Sequence, residues 1–249
     1  MKTLTSSPSG MPSPRPVSRR TRLLATAVAL ACLGGLALAV DLDVARWCKA
    51  GHIPREVMRF LNFSEVFAHG IGVAAILLAA AVLDPSLAGR RATPRVRGFP
   101  ISVSFISPDF VRMAVTAFAG GIMANVVKET LVDRVRPRAA DLTAAASALA
   151  TFGNSLAAQI TSHSDANSFP SGHAATAAGL AAALSWKYPR ATWFFVTLAA
   201  AAAAQRVASS AHYPSDVLFG AAVGLVGAAC FIGAATPGLR SADDAARTE

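Results

Sequence analysis

Asn167-Ser-Phe-Pro-Ser-Gly-His-Ala-Ala-Thr176 is the stretch on which the reading of the chain turns, because it sets a Pro-Ser-Gly turn and a histidine at the mouth of an apolar helix. Ser171 is the expected N-cap, which leaves the Gly172 and His173 amides free to face outward. Unpaired amides and the positive end of a helix dipole then converge on one point, and a phosphate fits there. Two polar segments stand on either side of this turn, Lys128-Glu-Thr-Leu-Val-Asp-Arg-Val-Arg136-Pro137 before it and Arg206-Val-Ala-Ser-Ser-Ala-His212-Tyr-Pro-Ser-Asp216 after it. Taken singly, Arg206 reads as a cation at a helix C-terminus and Arg136-Pro137 as a helix stop. Taken together, each at a hydrophobic boundary, they gather Lys128, Arg136, Arg206, His173, His212 and Asp216 around the turn.

Composition points to a membrane. The 249 residues are 53% hydrophobic and 15% charged, whereas about a quarter of an ordinary soluble domain is charged. The net charge of +9 resides in short basic clusters between apolar runs with few aromatics beside them, which argues against nucleic acid as a partner. Cys32, Cys48 and Cys230 suggest no disulfide framework.

Six apolar runs, 23–40, 66–83, 110–132, 174–186, 191–205 and 217–235, predict an all-α bundle of six transmembrane helices spanning 23–236. Residues 1–22 read as a disordered basic tail and 237–249 as a polar C-terminal tail. The run 23–40 has the basic flank and Ala-Leu-Ala ending of a signal peptide as well as the features of an uncleaved anchor; its length favours the anchor. Either way Asp41 falls outside. The segment 141–160 reads as an interfacial helix before the Pro-Ser-Gly-His turn, N-capped by Asp141, with Leu142, Leu149, Leu156 and Ile160 at heptad-like spacing. His69, near the end of its run and without an evident partner, reads as structural. With the N-terminus inside, the inner segments carry the larger share of Lys and Arg, and all three polar segments land on the outer, periplasmic face of an inner membrane.

These three segments resemble the signature of the type 2 phosphatidic acid phosphatase superfamily: Lys-six-Arg-Pro, then Pro-Ser-Gly-His, then Ser-Arg-five-His-three-Asp. The resemblance covers about 110–236. Two positions depart from the pattern, since Gln205 stands where a serine is usual and seven residues separate Lys128 from Arg136. The resemblance implies a multi-pass membrane lipid phosphatase acting on a phosphomonoester or terminal diphosphate without metal or other cofactor. It further implies His212 as nucleophile, Asp216 holding its far ring nitrogen, and His173 as acid to the leaving alcohol. Lys128, Arg136, Ser171, Gly172 and Arg206 would bind the phosphate. The extra residue before Arg136 requires the preceding helix to end or bulge between Leu131 and Val135, since eight positions along a helix would turn Lys128 about 80° away.

Two other readings have their own residues. A metal site would draw on His163, Asp165, His173, His212 and Asp216, but the surrounding cations oppose it. A transporter with a polar path would place its histidines at mid-membrane, whereas both lie at outer helix starts.

Overall fold

The computed structural model describes residues 17–88, 106–153 and 163–232, with four two-residue strands between 91 and 104. Those strands form two short antiparallel pairs, and the rest of the regular structure is helical. The helices are α1 (Arg19–Ala37), α2 (Asp41–Lys49), α3 (Arg55–Ser64), α4 (Gly70–Leu83), α5 (Pro108–Thr130), α6 (Gly172–Lys187), α7 (Thr192–Ala208) and α8 (Pro214–Phe231), with one further turn at His163–Ala166. Helix starts follow local chemistry. Ser18, Ser107 and Ser171 each cap an amide three residues on, and Pro108 and Pro214 open α5 and α8, where a missing N–H costs nothing.

Helix α6 is the axis of the bundle. It packs against α5, α7 and α8, while α1 lies on α8, α3 on α7 and α4 on α5. Approach at the centre is close enough to require glycine. A Cβ on Gly224 would stand 2.2 Å from the Ala175 carbonyl, and one on Gly220 would stand 2.3 Å from that of Ser171. The α6–α8 contact therefore runs backbone to backbone, the kind of contact small residues allow between membrane helices. The outer helices turn large apolar side chains such as Leu36, Phe63, Ile71, Leu83, Trp193 and Phe194 to the surroundings, as a lipid-facing surface does.

Four helices are long and apolar enough to cross a bilayer: Arg19–Ala37, Pro108–Thr130, Pro189–Ala208 and Pro214–Phe231. A fifth is possible if Arg55–Phe67 and Gly70–Leu83 count as one span, bent by 66°. This is a membrane protein, but the expected count of six is not reached by length. Helix α6 has 16 residues, roughly 24 Å at the usual rise against a hydrocarbon core of about 30 Å. Its neighbours surround it instead, and it is buried over nearly its whole circumference.

The expected interfacial helix over 141–160 is not what 141–153 form. Asp141 does cap the amides of Thr143 and Ala144, but turns follow, then a 3-10 turn at Ala148–Thr151, and Gly153 takes φ +82°. Residues 154–160 lie outside the described residues. The physical reason lies in α2, whose Arg46 donates to the Leu142 and Ala145 carbonyls and whose Lys49 donates to that of Ala140. Carbonyls turned toward those side chains cannot close an α-helical ladder. Leu142, Ala145 and Ala148 pack instead on Leu42 and Ala45 of α2. The terminal tails, apart from residues 17–22, also lie outside the described residues; α1 starts at Arg19, inside the expected basic tail.

Candidate active site

Helix α5 ends at Thr130 with Leu131 as its C-cap, within the interval that the extra residue demanded. The chain then runs extended. Arg134 bridges to both Phe152 and Asn167, which brings the Arg-Pro segment beside the Pro-Ser-Gly-His turn. As a result Lys128 and Arg136 line one cavity of about 330 Å³ together with Gly172 and His173. Asn125 of α5 and His69 complete its polar wall. The His69 and His173 rings stand 6.0 Å apart, so the structure moves His69 from the structural place assigned by sequence to the wall of the cavity. Its partner comes from a helix about a hundred residues away, which no local pattern discloses.

Ser171 accepts from the Ala174 amide at 3.3 Å, the expected N-cap, and is itself wholly buried. The Gly172 and His173 amides lie ahead of that capped position, at the cavity. Arg206 lies in the last turn of α7, where its Nη1 reaches Glu65 Oε1 at 2.8 Å. Its Nε is buried without a hydrogen-bond partner. Such a donor is open to an anionic oxygen. Arg136 directs Nη1 and Nη2 at the carbonyls of Ala211 and Asn167, each at 3.4 Å. Burial lowers its pKa, helped by the like charges of Arg138 and Arg206.

His212 is 2% exposed and its backbone amide bonds the Arg206 carbonyl, so two residues of one motif share a turn. Its Nδ1 is 2.8 Å from the Ser168 carbonyl and 3.6 Å from Asp216 Oδ2. A carbonyl can only accept, so Nδ1 carries the proton and the Nε2 lone pair is left exposed to attack chemistry. Nε2 has no partner among the described residues. The nearest partner of the ring is therefore Ser168, which sequence reasoning did not single out, with the expected Asp216 next to it at 3.6 Å. Burial pushes the His212 pKa down to about 4, against the opposing pull of Asp216, so the ring is neutral near pH 7.

Asp216 is fully buried as the hub behind that ring. It accepts from Ser168 Oγ at 2.6 Å, from the Tyr213 amide at 2.9 Å and from Arg134 Nη1 at 2.5 Å. Arg134 also escaped sequence reasoning. It donates through Nε to Thr151 and through Nη1 to Ser215, and its Nη2 reaches Asp41 Oδ2 at 2.7 Å. The rings of Phe152 and Tyr213 lie against the guanidinium, with centroids 4.4 and 4.0 Å from its carbon. Among the described residues no three His, Cys, Asp or Glu side chains converge as metal ligands; the side chain of His163 lies outside them.

The family model of the PAP2 superfamily matches residues 109–236, half of the chain. A lipid A 1-phosphatase from Rhizobium johnstonii is 34% identical over 109 residues, 44% of this chain and 41% of that protein. A second lipid A 1-phosphatase, from Rhizobium etli, is 30% identical over 132 residues, covering 53% and 51% respectively. The chain thus spans about half the length of these relatives or less. No solved structure matches.

Proposed function

This chain belongs to the PAP2 superfamily, and from that premise we propose that it hydrolyses a lipid phosphomonoester, or the terminal group of a lipid diphosphate, through a phosphohistidine on His212. The observation that carries the reading is the state of that ring: neutral, its Nδ1 proton given to Ser168, its Nε2 unengaged, and a cationic cavity beside it. Phosphoryl transfer asks for charge neutralisation on the non-bridging oxygens, an in-line nucleophile and a proton for the leaving oxygen. Lys128, Arg136 and Arg206 supply the charge, with Ser171 and the Gly172 amide completing the cradle. Nε2 of His212 attacks phosphorus as the bond to the lipid oxygen breaks, and His173 gives that oxygen its proton; burial and then Arg206 lower the His173 pKa in the free protein, so it takes up that proton as the phosphate dianion of the substrate enters beside it. Water then attacks the phosphohistidine, His173 takes a proton back, and phosphate leaves with His212 neutral again. Asp216 steadies the ring through Ser168.

The names of the two relatives make the 1-phosphate of lipid A the first substrate to try. Purified protein should release phosphate from one or more members of a panel of lipid A, phosphatidic acid, phosphatidylglycerol phosphate and a polyprenyl diphosphate, with chelator present. Restoration of a chelated enzyme by zinc or magnesium would overturn the mechanism. The site faces the periplasm of an inner membrane in this reading. Ser147 and Ser209 are exposed on the side of the site, so cysteines there, in a background lacking the three native cysteines, should react with an impermeant reagent in intact spheroplasts. Labelling confined to lysed cells would reverse the orientation.

A further inference from the structure

Asp41 and Glu65 lie outside the family-matched residues, yet both reach the motif segments. Glu65 pairs with Arg206 at the surface of the site, with its side chain 37% exposed. Asp41 is different, since it has no exposure at all and every contact it makes leads toward His212. Its Oδ1 accepts the Ser215 amide at 2.9 Å, the second residue of α8, and its Oδ2 accepts from Ser215 Oγ and from Arg134. Asp41 thereby fixes the start of the helix that carries Asp216.

Arg134 extends the connection in two ways. Its side chain grips Asp216, and its backbone carbonyl accepts the Ser168 amide at 2.8 Å, so it pins the residue whose own carbonyl holds the His212 ring. Each nitrogen of the guanidinium has an acceptor, and the rings of Phe152 and Tyr213 lie against it. Only a planar fork meets that set; a lysine ammonium at the same place would leave several acceptors empty. The charges suit the reaction too. Asp41 and Asp216 outweigh Arg134 by one negative charge while His212 is neutral, and attack through Nε2 turns the ring into a cationic N-phosphorylated imidazole.

Resting on the phosphohistidine reading above, we infer that Asp41 and Arg134 are positioning residues, which act through Asp216 and Ser168 to hold the His212 ring in line for attack and to offset the charge it acquires. The N-terminal part of the chain is then more than an anchor, because it supplies the carboxylate at the root of the arrangement.

The test uses Asp41→Asn and Arg134→Lys in the full-length protein, with the folded fraction measured by thermal melting and rates expressed per folded molecule. Positioning predicts that kcat and the rate of phosphoenzyme formation fall together by about ten- to a hundredfold, while KM stays within about twofold because the cavity residues are untouched. The two variants should part in their pH profiles. His212 is faced by Asp216 and Ser168, by Arg136 and Lys128, and by His173 of α6. Removing the Asp41 charge makes those surroundings more positive, so the acid limb of kcat moves to lower pH; Arg134→Lys keeps the charge and leaves the limb in place. Ser168→Ala, which deletes one hydroxyl and no charge, carries the same test if a larger change prevents folding, and should cost about three- to tenfold. Unchanged rates per folded molecule in these variants, with phosphohistidine trapped on the wild type, would overturn the inference alone. Absence of acid-labile phosphate from the wild type would overturn the phosphohistidine reading and this inference with it.

Discussion

The two sides of the site are built on opposite principles. Around His212 the bonds are short and the groups dry: Ser168, Asp216, Arg134 and Asp41 are at most marginally exposed, and their contacts cluster below 3 Å. Around the phosphate-binding candidates the groups are cationic and one donor is held open: Arg206 pairs with Glu65 through Nη1 at 2.8 Å, while its Nε is buried without a hydrogen-bond partner. On the proposed reading a nucleophile is aimed before substrate arrives, which suits supports satisfied in advance. A phosphate binder on the same reading needs a donor in reserve, which the Arg206 Nε supplies. One protein thus shows both halves of preorganisation, fixed direction on one side and reserved charge on the other.

Substitution at the two histidines should expose that contrast most strongly. His212→Ala should abolish trapped phosphoenzyme and lower kcat by at least about 10³-fold. His173→Ala should cost about 10²-fold on alkoxide leaving groups and much less on an aryl phosphate, whose oxygen leaves unaided. Equal losses on both substrate types would place the acid elsewhere.

The dry side also has a signature in pH. With His212 held at about 4 by burial, the reactive neutral form is lost only as pH falls through that value, whereas a free imidazole protonates near 6.5. At pH 4.5 that difference is worth about a hundredfold in neutral ring, so the His212 limb of kcat/KM should lie well into the acid range. A limb near 6.5 would mean that the ring is wetter than the structure has it.

On the cationic side, Lys128→Ala should cost at least about tenfold in kcat/KM, or ~1.4 kcal/mol, with much of it in KM. A rate left intact would make Lys128 a cation that merely reaches for the interface. Deleting Thr130, the last residue of α5, should be tolerated because the chain is no longer helical beyond it. The smallest effect belongs to Glu65→Gln. Its pairing with Arg206 is partly exposed, where such pairs are worth about 0–1 kcal/mol, so KM should change by no more than about fivefold.

The same contrast explains what could be read from sequence. Ser171, Gly172 and His173 are a local device, a cap and the amides after it, and spacing alone discloses it. Lys128 and Arg136 could be paired despite the extra residue, because Pro137 forbids a regular helix beneath them. The dry side is non-local. Arg134 has its carboxylate partners 93 residues before it and 82 after it, and nothing in Val-Asp-Arg-Val distinguishes it from a surface arginine. Ser168 acts through its carbonyl, which every residue possesses. The part of 141–160 that is described, 141–153, misled for a related reason, since leucines at heptad-like spacing promise a helix, whereas the carbonyls of Ala140, Leu142 and Ala145 are taken by Lys49 and Arg46. Distant side chains overrode the local periodicity.

The order of Asp41, Arg134 and Asp216 along the chain bears on biogenesis. A ribosome delivers Asp41 first, Arg134 next and Asp216 last. When the guanidinium reaches the membrane its first counter-ion has already been made, so a neutral pair can wait at the interface while α6, α7 and α8 are inserted. A bare arginine there would be costly, and removing one member of a buried pair typically costs 3–5 kcal/mol. Docking of α8 then adds the second carboxylate, which accepts from the Ser168 hydroxyl. Nascent chains that lack the last helix would therefore hold the pair, and His212 with it, but not the Asp216 carboxylate behind the ring.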